Sequence, residues 1–82
     1  AKTYPNPTRD RATLELNIDY EGHFDIVMYG INGRLIRNIY SGNLFSGRER
    51  FELDLTDLNS GIYIVKVLSQ GQDETIKVSK VN

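Results

Sequence analysis

The sequence predicts an all-β chain, an antiparallel β-sandwich of six to seven short strands, on three observations. Apolar and polar residues alternate with a period of two through most of the 82 residues. Clusters of Gly, Asn and Ser separate the alternating runs, and no stretch carries the periodicity of an amphipathic helix. Two stacked sheets bury both sets of apolar faces, which an open sheet would leave exposed. A small closed barrel remains the competing architecture, because strand spacing does not say which strands pair across a closure.

The elements follow in order. Ala12, Leu14, Leu16 and Ile18 alternate with Thr13, Glu15 and Asn17, which places one face on a core. After Glu21-Gly22, the residues Phe24, Ile26 and Met28 repeat the pattern, with Asp25, Val27 and Tyr29 on the other side, and the two segments are expected to form a hairpin. Asn32-Gly33 marks a second hairpin, since both residues tolerate positive φ. Arg34 to Tyr40 reads as a strand of mixed faces. Ser41-Gly42-Asn43 and Ser46-Gly47 bracket a connection in which Leu44 and Phe45 are expected to cover one end of the core. Alternation resumes from Arg50 to Leu55. Asn59-Ser60-Gly61 introduces Ile62 to Leu68, the most continuously apolar run and the expected central strand, covered on both faces. Gln70-Gly71-Gln72-Asp73 is the last turn before a strand from Thr75 to Val81, with Ile76 and Val78 on one side and Lys77 and Ser79 on the other.

Composition narrows the function. With 39% hydrophobic and 26% charged residues, the chain suits one small domain over residues 1–82, of modest stability and without a large internal cavity. Ten Lys and Arg against eleven Asp and Glu, with no long run of either sign, leave no electrostatic footprint for nucleic acid. The absence of Cys removes disulfides and Cys-based zinc sites. No apolar run approaches the roughly 20 residues of a membrane-spanning helix, and the amino end lacks a secretory apolar region.

Candidate chemistry is sparse. His23 stands beside Gly22 without a second His or a Cys to complete a metal set, and reads as an imidazole in a turn. Glu52, Asp54 and Asp57 lie close together, in the alternation that a solvated face produces. Asp73-Glu74 reads as a polar turn. No G-x-S-x-G elbow is present, and Gly30-Ile31-Asn32-Gly33 lacks the further glycines and Lys of a phosphate loop. Catalytic residues, cofactors and metals are therefore not expected. Arg34, Arg37, Arg48 and Arg50 would form a basic patch for a protein or glycan if their strands met, with Tyr29 and Tyr40 as stacking surfaces, but their mixed acidic neighbours favour a solvated or salt-bridged face. Tyr4-Pro5-Asn6-Pro7 is stiffened by two prolines and reads as a rigid lead-in over residues 1–8, either a linker end or a docking feature.

Taken in order, Tyr4-Pro5-Asn6-Pro7, Gly22, Gly33-Arg34, Leu58-Asn59-Ser60-Gly61-Ile62-Tyr63, Gly71 and Lys77 resemble the carboxy-terminal sorting domain of type IX secreted proteins. The resemblance spans Thr3 to Asn82. It implies a non-catalytic β-sandwich, immunoglobulin/fibronectin-like, at the end of a larger secreted or cell-surface protein of the Bacteroidetes. In that family the domain is recognised by the type IX translocation machinery and removed by a sortase-like signal peptidase, which can join the upstream cargo domain to anionic lipopolysaccharide. The secretion-signal residues carried over are Pro5, Asn6, Pro7, Gly33, Arg34, Gly61, Tyr63, Gly71, Lys77, Val78 and Lys80. The glycines permit tight turns, and Tyr63 can bury its ring while keeping a hydroxyl partner. Lys77 and Lys80 are expected to meet acidic groups of the apparatus, while Ile76 and Val78 hold the last strand in place. The chain departs from the family at Gly30, often a polar residue there, and in its less hydrophobic ending at Asn82.

The competing expectation is a fibronectin-like binding or spacer module retained on an extracellular hydrolase. A weak homodimer through an exposed strand edge is a further alternative.

Overall fold

A computed structural model describes residues 1–82 as seven strands joined without a helix. They are β1 (Lys2–Tyr4), β2 (Arg11–Ile18), β3 (Gly22–Gly30), β4 (Leu35–Leu44), β5 (Gly47–Asp54), β6 (Gly61–Ser69) and β7 (Gln72–Lys80). All strand pairs are antiparallel, in a three-stranded sheet of order β1-β2-β5 and a four-stranded sheet of order β4-β3-β6-β7. The two separate sheets make the architecture a sandwich and leave the barrel aside.

One core lies between them. Leu14, Leu16 and Ile18 of β2 and Leu53 of β5 meet Ile26 and Met28 of β3, Tyr63, Val65 and Val67 of β6, and Val78 of β7. Each set has the period-two spacing that turns alternate side chains to one face. Seven side chains, among them Leu14, Ile26, Val65 and Val78, are less than 2% exposed. Full burial of each contributes about 1.5–3 kcal/mol relative to exposure, which makes this alternation the main source of stability.

Several pairings differ from the sequence expectation. β2 and β3 do not form a hairpin. Their apolar faces oppose each other across the core, so the Asp19–Glu21 connection arches from one sheet to the other. β4 runs through the Ser41-Gly42-Asn43 cluster to Leu44, with register shifts at Ile26/Val27 and Met28/Tyr29, and the Ile39 and Ile36 positions drop out of the ladder. Leu44 enters the core, whereas Phe45 is exposed. β6 is central in its sheet but buried on one face only, since Ile62 and Lys66 face solvent.

The lead-in segment is built into the fold. β1 pairs with β2 over Lys2↔Glu15 to Tyr4↔Thr13, and Thr8 makes a parallel bridge to Lys80 on the far sheet. The chain therefore crosses from one sheet to the other between Tyr4 and Thr8. The Tyr4–Pro5 and Asn6–Pro7 peptide bonds are both cis.

Candidate recognition site

Asn6 stands between two prolines, and its side chain does the pairing at this crossing. Its Nδ2 donates to the Lys77 carbonyl at 2.9 Å, and its Oδ1 accepts the Ser79 N–H at 3.0 Å. One side-chain amide thus satisfies the two groups that a neighbouring strand would otherwise engage on β7. Thr8 continues the pairing: its N–H donates to the Ser79 carbonyl and its carbonyl accepts the Val81 N–H, both at 2.9 Å. The Thr8 hydroxyl donates to the Arg11 carbonyl at 2.6 Å.

Two side chains pin the connection between β5 and β6. The Tyr63 hydroxyl donates to the Asn59 carbonyl at 2.5 Å, with its ring in the core. The Lys80 ammonium donates to the carbonyl of Leu58. Lys80 is only 7% exposed, because it shares the inward parity of Val78 and lies opposite Gly61. It does not present its charge to a partner, contrary to the expectation that it meets acidic groups of an apparatus. Lys77, on the outward parity, is exposed and forms no ion pair.

Register then shows which expected signal residues come together. Gly30 lies opposite Tyr63, Gly61 opposite Lys80, and Asn6 on the outer edge of β7 at Lys77 and Ser79. Pro5, Asn6, Pro7, Gly33, Arg34, Gly61, Tyr63, Lys77, Val78 and Lys80 accordingly gather at one end of the four-stranded sheet. Gly71 belongs to the opposite end, in the tip of the β6–β7 hairpin. Gly33 and Gly71 adopt φ of 84° and 83°, left-handed values that explain glycine at both turns.

The four arginines do not meet as one patch, and three of them are salt-bridged on solvated faces. Arg34 immediately precedes β4 and Arg37 lies on it, whereas Arg48 and Arg50 lie on β5, in the other sheet. Arg37 donates to Asp57 at 2.9 Å, with its Nε buried and without a partner. Arg50 donates to Glu15 at 3.1 Å, while Arg48 and Lys2 lie within 4.0 Å of the same carboxylate. Burial raises the Glu15 pKa, but the hydrogen bonds from Arg50 and Tyr4 and the charges of Lys2 and Arg48 outweigh it and hold the carboxyl below its ordinary value. Tyr40 packs on Phe51 with ring centroids 5.1 Å apart, and Tyr29 carries the Lys66 ammonium at 5.3 Å from its ring centre. Neither Tyr is paired with an arginine.

The acidic candidates are engaged within the chain. Glu52 lies 3.9 Å from Arg11, Asp57 receives Arg37, and Asp54 accepts from the Thr56 hydroxyl and N–H. His23 is exposed, with Nε2 3.3 Å from Asp25. No group of three or more His, Asp or Glu side chains is placed to hold a metal ion. A cleft of about 450 Å³ opens near the Gly71 end, with Leu16, Ile18, Phe24 and Val67 in its wall and Asp19, Asp73 and Glu74 at its rim. It contains none of the expected signal residues.

Sequence reasoning did not single out the exposed aliphatic residues at the β3–β4 turn and at the starts of β4 and β6, namely Ile31, Leu35 and Ile62. The available signal was parity, since Ile62 falls on the face opposite Tyr63 and Val65.

A family described as the secretion system C-terminal sorting domain matches residues 2–81. No curated protein matches the chain.

Proposed function

The chain belongs to the family of type IX secretion C-terminal sorting domains, and from that premise we propose that it acts as a non-catalytic address for a cargo fused upstream. Membership implies a cargo that is secreted or carried across the outer membrane, and interaction with the type IX machinery in general. The observation that carries the proposal is the convergence of the lead-in segment, the β3–β4 turn, the start of β6 and the end of β7 at one end of one sheet. Residues dispersed from Pro5 to Lys80 thereby share one end of the sheet, Tyr63, Val78 and Lys80 inside it and Arg34 and Lys77 on its surface.

Within it the residues have different tasks. Asn6, Tyr63 and Lys80 act inward, fixing the end of β7 and the β5–β6 connection through backbone groups. Lys77 and Arg34 are the polar groups that face outward for recognition. Removal of the domain by a sortase-like signal peptidase completes the reading, with the cleavage chemistry supplied by that peptidase.

The test is a fusion of the domain to a neutral cargo in a type IX-competent host. Deletion of Ile76–Asn82 should hold the cargo in the periplasm, while the intact domain delivers it outside the cell. Normal delivery after the deletion would overturn the sorting proposal. Intact-mass measurement of exported cargo checks removal, because a retained binding or spacer module would leave the domain on the product.

A further inference from the structure

The outer face of the four-stranded sheet carries an apolar surface that the fold itself does not cover. Leu35 of β4, Tyr29 of β3, Ile64 of β6 and Lys77 of β7 form one cross-strand row. Ile62 begins the next row toward the motif end, and Ile31 follows Gly30, which lies opposite Tyr63. Ile31 is 67%, Leu35 53% and Ile62 43% exposed. Val27, on the same face, is buried without joining the core cluster. Three large aliphatic side chains left wet at one corner cost solvation that a merely structural face would avoid with polar residues, as the three-stranded sheet does with Glu15, Arg48 and Arg50.

The charge at this corner has one sign. Lys2, Arg11, Arg37, Arg48 and Arg50 each lie within 4.0 Å of a carboxylate of the chain. Arg34, Lys66 and Lys77, which border the apolar row, do not, and Lys66 rests over the Tyr29 ring instead. The carboxylates on the same face, Asp25 and Asp73, sit two rows away toward the Gly71 end. A partner that covers the aliphatic residues is oriented and favoured if it brings acidic groups to the rim.

We propose that the corner formed by Ile31, Leu35 and Ile62, bordered by Arg34, Lys66 and Lys77, docks an apolar protein surface rimmed by carboxylates on a component of the secretion machinery. This deepens the sorting proposal and rests on it. The apolar centre supplies the affinity, and the unpaired cations orient the partner.

The experiment uses the same cargo fusion with two surface variants, Leu35→Glu/Ile62→Glu and Lys66→Glu/Lys77→Glu. Each should lower exported cargo about tenfold or more, with accumulation in the periplasm and a cooperative urea transition that shows the domain still folded. The milder pair Leu35→Ser/Ile62→Ser serves if the Glu pair loses that transition, and should also reduce export. Full export from the folded apolar variants would overturn the docking surface. A defect in those variants with normal export of Lys66→Glu/Lys77→Glu would overturn the acidic rim. Deletion of Ile76–Asn82 runs alongside: retention with the deletion but export with the surface variants leaves sorting intact and discards this corner, whereas export in every case discards both.

Discussion

Asn6 and Ser79, 73 residues apart, meet as though they were neighbours in a sheet: the Ser79 N–H donates to the Asn6 side-chain oxygen at 3.0 Å, and the Asn6 amide returns a bond to the Lys77 carbonyl at 2.9 Å. A single amide thus closes part of the exposed edge of β7 and joins the start of the domain to its end. Asn6→Ala removes both bonds and should destabilise the domain by about 1–2 kcal/mol, read from urea unfolding. Asn6→Asp keeps an acceptor for Ser79 but sets a carboxylate oxygen against the Lys77 carbonyl, so its midpoint at neutral pH should lie below wild type. Hydrogen exchange should speed at Ser79 in Asn6→Ala, which removes the acceptor of its N–H. Unaltered exchange would show that the Asn6 bonds do not hold this edge.

Tyr63 and Lys80 hold successive carbonyls of the β5–β6 connection. Tyr63→Phe keeps the ring and removes the bond to Asn59, for an expected loss of about 0.5–1.5 kcal/mol. In a domain of this size that corresponds to a fall in Tm of very roughly 2–12 °C, measurable by calorimetry. Lys80→Met should also destabilise, because the Leu58 carbonyl loses its donor, whereas Lys77→Met should leave Tm unchanged. Equal effects at the two lysines would contradict their opposite orientations.

The β6–β7 tip places Gln70 at φ 23° and Gly71 at φ 83° between Ser69 and Gln72, which pair directly. Positive φ at both central residues is the pattern that favours Asn-Gly in tight hairpins. Gln70→Asn should therefore stabilise by roughly 0.5–1 kcal/mol, and Gly71→Ala should destabilise by about 1 kcal/mol or more. A lower unfolding midpoint for Gln70→Asn would contradict the turn assignment.

Acid should weaken the domain through identifiable carboxylates. The Glu15 carboxyl lies below its ordinary value of 4.5 in the fold, so around that pH the unfolded chain binds more protons than the native state. Its stabilising contribution is present above 4.5 and is lost as pH falls through the lower folded value. Asp25, lowered chiefly by the Ser41 hydroxyl, and Asp54, lowered chiefly by the Thr56 hydroxyl, add losses of the same sign below their ordinary value of 3.8. Glu15→Gln should be less stable than wild type at pH 7, with the gap narrowing as pH falls below 4.5. A gap independent of pH would remove Glu15 from the acid response.

The strands were legible because a buried face writes itself as alternation, without interruption over Ala12–Ile18 and with Val27 as the one apolar residue on the other face over Phe24–Met28. Alternation assigns a face but not a sheet, which is why β2 and β3 read as a hairpin although they oppose each other across the core. Lys80 was read by its charge when its spacing from Val78 already placed it inward. Asn6 was opaque for a different reason. Its role depends on the backbone of residues at the far end of the chain, and nothing local to Tyr4-Pro5-Asn6-Pro7 names them. The apolar corner escaped because Ile62 belongs to a run so apolar that both of its faces looked covered.

The parallel alignment of Thr8 with Lys80 bears on how the domain carries load. Tension between residue 1 and residue 82 draws the Asn6–Thr8 segment and β7 in opposite directions along a shared line. The two Asn6 bonds and the two Thr8 bonds are then sheared together instead of being unzipped one by one. A domain gripped at its carboxyl end and pulled from its amino end therefore resists most strongly at the seam where its two ends meet, and Asn6→Ala should lower the rupture force in single-molecule pulling from those ends.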